Sequence, residues 1–105
     1  MKKVLTELAK VIRSKNCSPF ELTLDIIFNH RVDYDVLKKT QQINDELIAN
    51  LYNISVEEVK SIIYFEPAKS IKIVLNRIQP SGSQGDNDVY GAQQHAPLLA
   101  ITLDV

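Results

Sequence analysis

The chain has 105 residues, 45% hydrophobic and 24% charged, enough apolar material for one compact core and too little length for two domains. A formal net charge of −1 argues against a nucleic-acid or anionic-membrane surface, and no apolar run approaches the roughly 20 residues of a membrane helix. One cysteine, Cys17, excludes an internal disulfide and fits a reducing cytoplasm.

Glu7 and Lys10 interrupt the apolar stretch near the basic N-terminus, so it reads as domain and not as a signal peptide. Val4, Leu8, Val11 and Ile12 recur at helical spacing and predict a short N-terminal helix, although Val11 to Arg13 also suits extended chain. Ser14 to Pro19 reads as a loop. From Glu21 to Phe28 the pattern alternates, with Leu22, Leu24, Ile26 and Phe28 on one face and Thr23 and Asp25 on the other. That is a strand with one buried face.

Asp33 is a candidate N-cap for a short helix ending at Lys39. Ile43, Leu47, Ile48 and Leu51 define a second helix. Asn44 is its candidate cap, and Asp45 and Glu46 lie in the first turn, where the helix dipole favours acids. Ser55 and Glu58 have capping-box spacing. Ser61 to Glu66 is β-branched and aromatic, a strand stopped by Pro67. Ile71, Ile73 and Leu75 alternate with Lys72 and Asn76, and Leu99 to Val105 alternates as a last strand.

With a helical turn within Ala92 to Ala96, the order becomes β-α-β-β-α-β. The expected fold is therefore α+β, a single ferredoxin-like domain over residues 1–105. It would hold a split βαβ four-stranded antiparallel sheet, helices on one face and a short N-terminal helix. The opposite face, with Thr23, Asp25, Lys72 and Thr102, would be partly polar and either open or bound to a partner.

All three glycines, Gly82, Gly85 and Gly91, fall in a polar stretch from Ser81 to His95 that contains no lysine or arginine. Glycine lets a ligand approach the main chain. Asp86, Asp88, Tyr90, Gln93, Gln94 and His95 form a candidate binding set, with His95 and Asp88 as candidate proton-transfer groups. The same residues also suit a long surface turn whose aspartates cap backbone amides. An EF-hand is excluded, because Tyr90 and Pro97 fall at its fifth and twelfth positions. No metal site is assigned, and no cofactor is identified.

Arg13, Ser14, Lys15 and Asn16 form a second candidate, suited to a carboxylate or phosphate. They equally suit a loop of solvated charges. If the two segments meet, Arg13 and Lys15 supply the cation that the later segment lacks. Tyr64 and Phe65 invite an RNA-recognition reading, but the basic-aromatic strand motif is absent.

Arg13-Ser-Lys-Asn-Cys-Ser-Pro-Phe-Glu-Leu-Thr-Leu-Asp-Ile-Ile-Phe28 and Gly85-Asp-Asn-Asp-Val-Tyr-Gly-Ala-Gln-Gln-His-Ala-Pro-Leu-Leu99, with Leu51-Tyr-Asn-Ile54 between them, resemble a small bacterial and archaeal family, domain of unknown function 4387. The resemblance runs over essentially the whole chain. It departs at Cys17 and Ser18, where the family pattern has Ala-Gly. The family is similar to the ferredoxin-fold domain that follows the large domain of acyclic terpene utilisation proteins of the AtuA type, and its members are often encoded beside such a protein.

The resemblance implies a small cytoplasmic subunit of an AtuA-like protein, in catabolism of carboxylic acids or their CoA thioesters. The polar residues above would contribute to a shared site. The alternative is a stand-alone homodimeric small-molecule-binding or regulatory module.

Overall fold

The structure is a computed structural model describing residues 2–18, 20–76 and 96–105, the side chains of 17, 18 and 96 aside. Three helices and six strands alternate along it: β1 (Lys2–Val4), α1 (Leu5–Leu8), β2 (Ala9–Ser18), β3 (Glu21–Phe28), α2 (Arg31–Thr40), α3 (Asp45–Tyr52), β4 (Val59–Phe65), β5 (Ser70–Asn76) and β6 (Thr102–Asp104). The fold is α+β and its sheets are antiparallel. No described helix is long and apolar enough to cross a membrane.

The larger sheet has the order β2-β3-β5-β4. β5 is antiparallel to both neighbours, so β3 and β4 run parallel, separated by β5 and joined through α2 and α3. Residues opposite one another in a sheet share a face. Leu22, Leu24 and Ile26 of β3 stand opposite Leu75, Ile73 and Ile71 of β5, and Ile62 and Tyr64 of β4 continue those rows. This face packs against Leu5, Leu8, Tyr34, Leu37 and Ile48 in one buried cluster. Burial of each such side chain contributes about 1.5–3 kcal/mol, so this layer fixes the sheet's inner and outer sides.

Two of the expected elements differ. The N-terminal helix is a single turn, Leu5–Leu8, and the chain from Ala9 to Ser18 is strand. Of the predicted stripe only Leu8 lies in this turn, where it is buried with Leu5; Val4 belongs to β1 and Val11 and Ile12 to β2. Leu5 N–H donates to Ile101 O at 2.8 Å and Asn29 N–H to Leu8 O at 3.0 Å, so tertiary bonds hold that turn at both ends. The segment expected as a loop, Ser14 to Ser18, pairs instead with Glu21 to Leu24.

The expected last strand is also displaced. Ala96–Ala100 is a 3-10 helix, and only Thr102–Asp104 is extended, paired with β1 in a separate two-stranded sheet. Gln42 fixes it, donating Nε2 to Asp104 O at 2.6 Å while Oε1 accepts from Asp104 N–H at 2.7 Å. The edge beside β3 is therefore occupied by the N-terminal strand β2. The strand order departs from the simple split βαβ expectation for that reason. The helical turn expected within Ala92 to Ala96 falls, up to residue 95, outside the described residues.

The helix termini obey local rules in part. Asn44 Oδ1 accepts from Leu47 N–H at 2.9 Å, the expected cap of α3. α2 starts earlier than expected, with His30 at its N-cap and Asp33 inside the first turn. Ser55 makes no side-chain cap, and the turn at Val56–Glu58 is 3-10.

Candidate functional site

Strand alternation decides where each candidate residue points. Within β2, Arg13 and Lys15 stand opposite Asp25 and Thr23, on the outer face. Ser14 and Asn16 stand opposite Leu24 and Leu22, on the inner face. The four-residue cluster of the sequence is thus split into two pairs on opposite sides of the sheet, because a strand turns successive side chains apart.

The outer face is built from four strands in register. One row runs Arg13, Asp25, Lys72, Ile63; the next runs Lys15, Thr23, Val74, Ser61. A third brings Ile27 and Ser70 beside Phe65. Arg13 Nε donates to Asp25 Oδ2 at 3.3 Å. Lys60 is paired with Glu21 at the far end of the face. Lys15 and Lys72 are exposed and have no ion-pair partner among the described residues. Two charge pairs and two surplus ammonium groups make this face cationic, on a chain whose net charge is −1.

The face is also apolar. Ile63 is 49% exposed and Phe65 52%, while Val11, Ile27 and Val74 are half-buried. Thr23 keeps its expected place at the centre of this face but is fully buried rather than open. Thr102, expected on the same face, belongs to the other sheet. Tyr64, read with Phe65 as a possible stacking pair, turns inward. Its hydroxyl donates to Ile43 O at 2.8 Å, and burial, then Tyr34, pushes its pKa up to about 12.

A concavity lies beside β4. Gln41, Ile43, Asn44 and Asp45 form one wall, and Val59 to Ile62 with Tyr64 the other, around about 300 Å³. Next to it, Tyr34 is fully buried between the rings of Phe28 and Tyr64, each 6.2 Å away, and its hydroxyl has no hydrogen-bond partner among the described residues. Burial raises its pKa; Lys38, the next influence, lowers it.

Asp86, Asp88, Tyr90, Gln93, Gln94 and His95 lie outside the described residues, and so does any meeting of that segment with Arg13 and Lys15. No group of three or more His, Cys, Asp or Glu with metal-binding spacing occurs among the described residues. Lys72 keeps its expected place on the face opposite the helices and Phe65 was weighed only for stacking, whereas Ile63, the large apolar side chain between them, was assigned to no site. Its signal was present in the alternation of Ser61, Ile63 and Phe65 against Ile62 and Tyr64.

The model of the family described as Domain of unknown function (DUF4387) matches residues 5–102. No curated protein and no solved structure matches the chain.

Proposed function

The chain belongs to the DUF4387 family, and from that premise we propose that it is a small accessory subunit that docks on a larger protein through the outer face of its sheet. One observation carries this reading: Ile63 and Phe65 stand half-exposed on one face, with the surplus cation Lys72 directly beside Ile63 and Lys15 across the same face on β2. Large apolar side chains gathered on one face mark an interaction surface more often than scattered ones do. The described residues offer no complete catalytic set, which suits a subunit that contributes to a site held jointly with its partner.

The larger partner is an AtuA-like protein, on the resemblance of the 13–28 and 85–99 segments. The shared site acts on carboxylic acids or their CoA thioesters. Arg13 and Lys15 lie on the docking face and are the groups of the 13–16 segment suited to a carboxylate. Asp86, Tyr90, Gln93 and Gln94 contribute hydrogen bonds, with Asp88 and His95 as proton-transfer groups. The fold is read as a variant of the ferredoxin-like arrangement. β3, β4 and β5 with α2 and α3 retain the split βαβ core, and β2 takes the remaining edge.

Co-expression with an AtuA-like protein, followed by gel filtration, tests the proposal. Co-elution in fixed stoichiometry is expected. Separate elution of two folded proteins at micromolar concentration would overturn it.

A further inference from the structure

We propose that β4 is a self-association edge, through which two copies of the chain pair antiparallel about a two-fold axis at Ile63 and join their four-stranded sheets into one. The inference is independent of the larger partner, because it concerns the edge and is read on the isolated chain.

The two edges of the sheet differ in their protection. β2 carries irregularities between Ala9 and Val11 and between Asn16 and Ser18, and Lys10, Arg13 and Lys15 lie along it. Bulges and charges are the usual devices that keep an edge from pairing. β4 has neither through its middle. From Ser61 to Phe65 it is β-branched and aromatic, without charge, proline or bulge; its one irregularity precedes Ser61. Among the described residues β4 pairs only with β5, so its second row of backbone groups is unpartnered. The cleft of about 300 Å³ lies beside it, between Val59 to Ile62 and the start of α3.

The register follows from the pleat. Facing residues must share a side of the sheet, and a one-residue slip would bring Ile62 against an outward side chain. The bulge-free segment is centred on Ile63. Antiparallel self-pairing sets Ile63 against Ile63 of the second copy, Ile62 against Tyr64, and Ser61 against Phe65. Each facing pair then contains at least one large apolar side chain, and the half-exposed Ile63 and Phe65 of both copies become one strip.

Charge selects the direction. Lys60 stands at one end of the segment and Glu66 at the other. Antiparallel pairing brings the Lys60 end of one copy to the Glu66 end of the other, whereas parallel pairing sets like charges together. Each also keeps its partner within the chain, Glu21 for Lys60 and Lys38 for Glu66.

The test is cysteine trapping in the intact chain. With Cys17→Ser as background, single variants Ile63→Cys, Arg13→Cys and Lys72→Cys are oxidised at micromolar concentration and resolved without reductant. Opposed Cα atoms in an antiparallel pair are about 4.5–5.5 Å apart, within the roughly 4.4–6.8 Å that a disulfide spans. Ile63→Cys should form the linked dimer at least about tenfold faster than the other two, because pairing raises the effective thiol concentration.

Light scattering of the unmodified chain and of Ile63→Lys gives a second readout. A dimer that becomes a folded monomer when two ammonium groups meet on the axis supports the proposal. Linkage at residue 63 no faster than at 72 overturns it, whatever the oligomeric state. Faster linkage at Arg13→Cys overturns it in favour of β2.

Discussion

Arg13 and Asp25 stand directly opposite one another on β2 and β3, with Arg13 Nε 3.3 Å from Asp25 Oδ2. The arginine side chain is 64% exposed and the aspartate 21%, so water screens the pair. Its coupling in a double-mutant cycle with Arg13→Ala and Asp25→Asn should be at most about 1 kcal/mol, and smaller in high salt. Urea titrations of the four proteins measure it. A small coupling leaves Arg13 available for a partner's carboxylate at little cost to the fold.

Two tyrosines that touch should respond in opposite directions. The Tyr34 hydroxyl is buried without a partner among the described residues, so Tyr34→Phe removes an unmet desolvation cost and should be neutral or stabilising by up to about 1–3 kcal/mol. Tyr64→Phe deletes the bond to Ile43 O and should destabilise by about 1 kcal/mol. Urea unfolding of both variants checks the contrast.

Lys38 and Glu66 set one feature of the pH profile. The hydrogen bond from Lys38, and then its charge, hold the Glu66 carboxyl below its ordinary 4.5. The folded chain therefore binds fewer protons there than the unfolded chain. This contribution is fully present above pH 4.5 and is lost as pH falls through the lowered folded value. Lys38 is raised above its ordinary 10.5 by the same partner, so its contribution is present below pH 10.5 and lost above the raised value. Glu66→Gln should flatten the acid limb of stability against pH, measured by urea unfolding across that range.

Gln42 joins the C-terminal strand to the α2–α3 connection through both atoms of its amide. Gln42→Ala removes two bonds of about 0.5–1.5 kcal/mol each. Hydrogen exchange should show the Asp104 amide exposed far sooner, with amides of β3 and β5 little changed.

The sequence was legible where one residue pattern controlled one element. β3 announced itself because Leu22, Leu24, Ile26 and Phe28 alternate without interruption, and Asn44 capped α3 as its spacing implied. β2 was hidden because its inward positions include Ser14 and Asn16, which break the apolar alternation that marks a strand. Val4, Leu8, Val11 and Ile12 supplied a helical stripe, but the chain is helical only over Leu5–Leu8, and Val11 and Ile12 belong to β2. The edge beside β3 depends on which distant strand arrives there, a tertiary choice that no local pattern carries. The site followed the same division. The pairing of Arg13 with Asp25 required the register, while Asp86 to His95 fall outside the described residues.

Light scattering of the chain co-expressed with an AtuA-like protein, as wild type and as Lys15→Glu/Lys72→Glu, tests the central claim most directly. Lys72 sits on the interior strand β5, so this variant leaves the β4 edge untouched. The expected result is a stoichiometric complex for the wild type that separates when the two charges are reversed, with the thermal unfolding of the isolated chain preserved. A complex that survives the reversal unchanged, or a wild-type chain that never joins the larger protein, would contradict docking through the outer face of the sheet.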